Sequence, residues 1–95
     1  MNGTDMGERK YFTYILRCHD GTFYTGYTVD DVEKRVETHN AGKGAKYTRN
    51  RLPVELVWYH IWQTEHEARS YEYRIKTWTR KQKEALVRGE IEIEG

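Results

Sequence analysis

The chain has 95 residues, a formal net charge of +1 and one cysteine, Cys18. A chain of this size makes one domain and buries only roughly 60–65% of its unfolded surface, enough for one core but not for a deep enclosed pocket as well, so a shallow groove and a polymer are expected rather than a small-molecule substrate. One thiol cannot build a disulfide framework or a Cys-based zinc site, and no apolar run approaches a signal peptide or a membrane span, so a soluble, cytoplasmic protein with no membrane partner is expected.

Residues 1–10 are polar, with two glycines, and read as a disordered tail. Residues 11–18 are β-branched or aromatic apart from Leu16, Arg17 and Cys18, which predicts a strand apolar on both faces, hence central in its sheet, with Cys18 a buried inert thiol. Residues 19–21 form a turn and residues 22–28 a second strand; Gly26 inside it marks a bulge or a close approach of other atoms. A helix follows over residues 30–40, capped by Thr28 or Asp30 and ended by Gly42. Residues 41–52 are a basic loop with room for a short helical turn. Pro53 opens a third strand that runs through Ile61. Thr64 and Glu67 form a capping box for a helix to about Thr77, and Thr79 and Gln82 another for a last helix to Arg88, stopped by Gly89. From Glu90 the chain alternates Glu and Ile, either a marginal edge strand or a loose acidic end. The order β-β-α-β-α-α predicts an α+β domain, a small three-stranded antiparallel sheet flanked by helices, over residues 11–88 between a tail at 1–10 and an acidic tail at 89–95.

The first hairpin has a parity problem. A two-residue turn at Asp20-Gly21 would put Tyr14 and Tyr24 on opposite faces of the sheet. A three-residue loop, His19-Asp20-Gly21, pairs Cys18 with Thr22, so that Tyr24 opposes Leu16, Tyr14 opposes Gly26 and both tyrosines share a face. That loop needs a left-handed residue at its third position, and Gly21 supplies it. Gly26 opposite Tyr14 is also expected to leave open space over the phenol, where a phosphate could approach.

Charge is unevenly spread. All 16 Lys and Arg lie between Arg9 and Arg88, while Asp5, Glu8, Glu90, Glu92 and Glu94 lie outside that window. Two stretches inside it have no acid. One carries Lys43, Lys46, Arg49 and Arg51, the other Arg74, Lys76, Arg80, Lys81 and Lys83. A solvated surface is the ordinary meaning of one basic run; two of them, with Tyr47 and Trp78 interleaved, tilt toward a nucleic-acid face.

Three groups of residues are candidates for chemistry. Glu72 falls within the buried stripe Ala68, Tyr71 and Ile75 of its helix. It is either half of a structural ion pair with Arg69 or Lys76, or a hard-metal ligand, since Mg²⁺ commonly takes one or two carboxylates plus phosphate oxygens and waters. Arg35 and His39 lie four apart on one flank of the Val32–Val36 stripe. They are either a snorkelling arginine beside a cap-adjacent histidine or a phosphate clamp beside a proton-transfer group. Tyr14 and Tyr24, two of eight tyrosines, are ordinarily packing residues.

Together these residues resemble the GIY-YIG nuclease superfamily. Phe12-Thr13-Tyr14, placed ten residues before Tyr24-Thr25-Gly26, is similar to the GIY…YIG signature. Arg35-Val36-Glu37-Thr38-His39-Asn40 is similar to its R-x-x-x-H-N block. The stretches Gly44-Ala45-Lys46-Tyr47-Thr48-Arg49 and Arg51-Leu52-Pro53-Val54-Glu55-Leu56 resemble the small stand-alone members, including the UPF0213 group and the catalytic subunits of structure-specific nucleases that act with a partner. Glu72 falls where the family keeps its metal-binding glutamate, and the likeness covers about residues 11–88. The first triplet lacks the Gly and Ile of the signature, His39 stands where some members carry tyrosine, and no zinc-binding or helix-turn-helix extension is present.

The resemblance implies an endonuclease that hydrolyses DNA phosphodiester bonds, in repair or recombination. Tyr14 would be the general base for the attacking water, with Tyr24 and His39 shaping its protonation. Glu72 would hold one Mg²⁺ or Mn²⁺, and Arg35 would stabilise charge on phosphorus. Lys46, Thr48, Arg49 and Lys76 would position the backbone of DNA, branched DNA included, without reading bases. A protein partner could supply specificity. Two other classes remain open: a catalytically silent nucleic-acid-binding module, and an interaction subunit of a nuclease complex.

Overall fold

The computed structural model describes residues 9–93. Strand β1 (Tyr11–Arg17) lies between β2 (Phe23–Val29) and β3 (Glu55–Trp62), so the sheet order is β2-β1-β3, and both pairings are antiparallel. The helices are α1 (Val32–Asn40), the single turn α2 (Lys46–Arg49), α3 (Glu65–Lys76) and α4 (Arg80–Val87). The α+β class, the three-stranded antiparallel sheet and the element order all follow the pattern in the sequence, with α2 as the turn inside the basic loop.

β1 is central because it is apolar on both sides. Phe12, Tyr14 and Leu16 join Cys18, Val32 and Val54 in one buried cluster, against which Tyr24 and Val36 pack. Ile15 joins Ile75 of α3 and Leu86 of α4 in the other. Full burial of one such aliphatic side chain stabilises by about 1.5–3 kcal/mol. Between the clusters Thr13 is buried yet satisfied: its hydroxyl donates to the Ala68 carbonyl at 2.7 Å and accepts from Trp62 Nε1 at 3.0 Å.

The hairpin takes the three-residue loop. Cys18 N–H donates to the Thr22 carbonyl at 2.8 Å, and Gly21 N–H to the Cys18 carbonyl at 2.9 Å. Gly21 has φ 87°, the left-handed conformation this loop requires. Tyr14 therefore opposes Gly26 and Leu16 opposes Tyr24, which sets both tyrosines on one face.

Several boundaries move, each for a local reason. Helix α1 starts two residues after Asp30 and is capped by Asp31, whose carboxylate accepts from Lys34 N–H at 3.0 Å. Asp30 instead takes φ 75° and ties back to Lys10, which accepts its N–H at 2.7 Å. Pro53 does not open β3. Val54, after it, is held by the Asn40 side chain, whose Oδ1 accepts its N–H at 2.7 Å and whose Nδ2 donates to its carbonyl at 3.0 Å. The box at Thr79 and Gln82 forms in full. Thr64 accepts from Glu67 N–H at 3.2 Å, but the Glu67 carboxylate accepts from the Thr64 hydroxyl and so makes only half of the expected box. Residues 90–93 make no strand; Ile93 tucks against the Ile15 cluster. Residues 1–8 of the expected N-terminal tail, and residues 94 and 95, lie outside the described residues. No helix among the described residues is long and apolar enough to cross a membrane.

Candidate active site

Tyr14 stands at the middle of β1. Its phenol lies across Gly26: a Cβ at position 26 would collide with Tyr14 Cζ and Oη. The missing side chain is thus the space the phenol itself fills. The open approach expected over the ring is absent, and Tyr14 is only 1% exposed.

His39, from the last turn of α1, is fully buried. Its Nε2 lies 2.9 Å from Tyr14 Oη and its Nδ1 2.9 Å from Thr48 Oγ1. The Thr48 hydroxyl donates to the Ala45 carbonyl at 3.0 Å. The Ala45 N–H also points at Nδ1, at 3.4 Å, so the ring is held at both nitrogens, and its tautomer follows from how the Thr48 hydroxyl divides its proton between Nδ1 and the Ala45 carbonyl. Gly44 is needed for this packing, because a Cβ there would strike the imidazole. Burial, and then the charge of Arg35, push His39 down to about 4, so the ring is neutral as this pattern requires.

Arg35 lies one turn earlier on α1. Burial pushes the Tyr14 phenol up to about 12, against a hydrogen bond and an attraction from Arg35; Tyr24 and Glu72 push it up further. The Tyr24 ring is 6.5 Å from that of Tyr14 and 5.3 Å from that of His39. Its outer side stacks on Tyr47 at 6.0 Å, and the Arg51 guanidinium lies 3.9 Å from the Tyr47 ring centre. Glu72 enters from α3, its side chain 21% exposed and its carboxylate 3.0 Å from Lys76 Nζ. Of the two ion-pair partners open to Glu72, Lys76 is the one it takes, while Arg69 reaches Glu65 at 4.0 Å.

Tyr14, Tyr24, Arg35, His39 and Glu72 therefore converge, although they come from four elements. The basic residues divide. Lys46, Arg49 and Lys76 are exposed, as a backbone-positioning role requires. Thr48 is not: the α2 turn rotates it inward, it is fully buried, and its hydroxyl is committed to His39 and Ala45. Its hydroxyl faces the histidine and not the solvent, where the expected contact with a substrate backbone would lie. Sequence reasoning missed that role, and those of Gly44 and Tyr47, because a loop has no period from which to read an inward face.

Among the described residues no three His, Cys, Asp or Glu side chains gather to hold a metal ion. One partly exposed carboxylate does not fit a zinc site or an all-protein cage. It does fit a hard cation such as Mg²⁺ or Mn²⁺, which takes one carboxylate and completes its shell with phosphate oxygens and water.

A guanidinium, a neutral imidazole bonded to a phenol and a single hard carboxylate suit an anion whose ester bond water attacks, which is the chemistry of phosphoester hydrolysis. Residues 10–85 match the GIY-YIG catalytic domain, and the chain belongs to the GIY-YIG family, a family of nucleases. It is 51% identical over 89 residues to a UPF0213 protein of Bacillus pumilus, covering 94% of this chain and 89% of that one. It is 54% identical over 78 residues to a UPF0213 protein of Staphylococcus epidermidis, covering 82% and 94%. Two solution NMR structures are similar. One is of a UPF0213 protein from Bacillus halodurans, at 47% identity and TM-score 0.53, covering 82% of each chain. The other is of a protein from E. faecalis, at 39% identity and TM-score 0.58, covering 90% of this chain and 92% of that one.

Proposed function

We propose that the protein is a divalent-metal-dependent endonuclease that hydrolyses DNA phosphodiester bonds in cytoplasmic DNA repair or recombination, with residues 11–88 as its catalytic domain. The observation that carries this reading is the buried hydrogen-bond chain from Tyr14 through His39 to Thr48, set beside Arg35. Glu72 would hold the Mg²⁺ or Mn²⁺, which when bound neutralises the scissile phosphate and assists the leaving 3′ oxygen.

The chain's own residues do the rest. A phenol near 12 has almost no phenolate at neutral pH, so Tyr14 is not a standing base. It relays instead. Tyr14 Oη takes a proton from the attacking water as its own proton passes to His39 Nε2, which can hold it only once a bound phosphate offsets the Arg35 charge that, with burial, keeps the ring neutral. One water O–H bond breaks, the water oxygen bonds to phosphorus, and the 3′ oxygen leaves with its bonding pair. Arg35 stabilises the negative charge that builds on the phosphoryl oxygens. This relay requires the tautomer with its proton on Nδ1, facing Thr48 Oγ1, so that Nε2 can accept. Lys46, Arg49 and Lys76 position the backbone.

The test is incubation of the pure protein with linear and branched DNAs in Mg²⁺, in Mn²⁺ and in chelator. Metal-dependent cleavage, absent in Glu72→Gln, is the expected result. The burial of Tyr14 and the Lys76 partner on Glu72 favour one competing reading, a catalytically silent binding module. DNA binding with no cleavage in either metal would establish it.

A further inference from the structure

A groove of about 310 Å³ opens beside the active site, lined by Phe23, Tyr24, Thr25, Tyr47, Lys76 and Lys83. Lys76 joins the two, since its ammonium lies 3.0 Å from the Glu72 carboxylate. The rings of the groove already have their faces covered. Tyr24 lies against His39 and Tyr47, Tyr47 also against Arg51, and Phe23 beneath Arg80. A base has no ring left to stack on, so what the groove offers a ligand is its charge.

Three observations describe that charge. Lysines from two helices, α3 and α4, line the groove, and no carboxylate does. Lys83 is half-buried, yet among the described residues it makes no ion pair. Burial pulls its ammonium below the ordinary lysine range, and no nearby acid offsets that cost. Arg80, three residues before it on α4, is by contrast committed: to Glu84 at 2.9 Å, to the Gly21 carbonyl at 2.7 Å and to the Phe23 ring. Finally, α4 opens with Arg80, Lys81 and Lys83 and has no acid in its first turn, although the positive end of a helix dipole favours carboxylates there. Cations kept where stability disfavours them, one of them half-buried and unpaired, suit an anion that arrives from outside.

We propose that Lys83 is a further phosphate-binding residue: with Lys76 it holds a backbone phosphate of DNA beside the bond that is cut, and so leads the strand from the active site along the start of α4. The inference rests on the nuclease reading and adds the path of its substrate. A phosphodiester suits the groove because it is an anion carried on a polymer that lies across the surface, and a shallow groove is enough to meet it. Such a contact carries no base information. Its contribution is therefore the same for every sequence and weakens with salt, as the release of condensed counterions requires.

The test is a salt titration of binding to two labelled duplexes of unrelated sequence, with the full chain in chelator so that no cleavage intervenes. Lys83→Gln is expected to weaken binding to both by about threefold or more at low salt and to lower the salt slope by about one. Lys81→Gln removes an equal charge from an exposed position of the same helix and should leave the slope nearly unchanged. Lys83→Glu puts an acid where the helix dipole favours one, so it should melt no lower than the wild type while losing more affinity than Lys83→Gln. Equal losses in Lys81→Gln and Lys83→Gln would mean diffuse attraction and overturn the contact. So would no loss in Lys83→Gln, or a loss on one sequence only. Cleavage in Mn²⁺ is scored separately. Cleavage with an unaltered slope in Lys83→Gln removes the contact and keeps the nuclease, and a lowered slope without any cleavage does the reverse.

Discussion

His39 titrates near 6.5 in an unfolded chain and near 4 in the fold, because burial and Arg35 both oppose its charge. Between those values the unfolded chain binds a proton that the native chain refuses, so acid favours unfolding. The contribution is intact above pH 6.5, declines as pH falls, and is gone near pH 4, a loss of up to about 3 kcal/mol. Denaturation curves from pH 7.5 to 4.5 should show this slope in the wild-type protein and a shallower one in His39→Gln; equal slopes would remove His39 as the source. Glu72 poses the opposite question, of chemistry without stability. Its pair with the half-exposed Lys76 is an i,i+4 surface contact, worth about 0.3–0.5 kcal/mol. Glu72→Gln should therefore melt within a few degrees of the wild type and lose cleavage altogether. A large drop in melting temperature with specific activity retained would mean that the carboxylate serves only its ion pair.

The segment from α1 to β3 shows how one turn can aim a side chain. Thr48→Val keeps the shape of α2 but leaves His39 Nδ1 without its hydroxyl partner, which should cost about 1–3 kcal/mol by urea unfolding. A cost near zero would mean that the imidazole finds another partner and that Thr48 does not fix its tautomer. Legibility at this scale follows the kind of constraint. The hairpin could be counted residue by residue because parity is binary: only the three-residue loop puts Tyr14 and Tyr24 on one face, and Gly21 can take the left-handed position it requires. The position of Glu72 within an apolar stripe was visible as periodicity. Depth was not: alternation assigns Tyr14 a face but cannot show that its ring lies flat across Gly26 and out of solvent. The starts of α1 and β3 were hidden for a related reason. Each is decided by a partner distant in sequence, Lys10 for Asp30 and Asn40 for Val54, and no local pattern encodes such a pair.

Across the whole molecule, binding and turnover should separate by where a cation sits. Arg49 is exposed on α2, so Arg49→Ala should weaken DNA binding and lower the salt slope by about one. Arg35 lies against the phenol, so Arg35→Lys should leave affinity nearly unchanged and cut turnover, because a point charge does not replace a planar fork. Equal losses of affinity in the two variants would erase that division. The amide of Asn40, which grips Val54 through both its donor and its acceptor, bears on the same division. It cinches residues 41–53 at their two ends, so the segment is a closed ring whose inward members, Gly44 and Thr48, hold the histidine while its outward members, Lys43, Lys46 and Arg49, meet the solvent. Exchanging the outward set would send no strain through that clasp. The ring is in effect a replaceable cuff, in which the charge offered to a substrate can be retuned while the hydrolytic parts beneath it stay as they are.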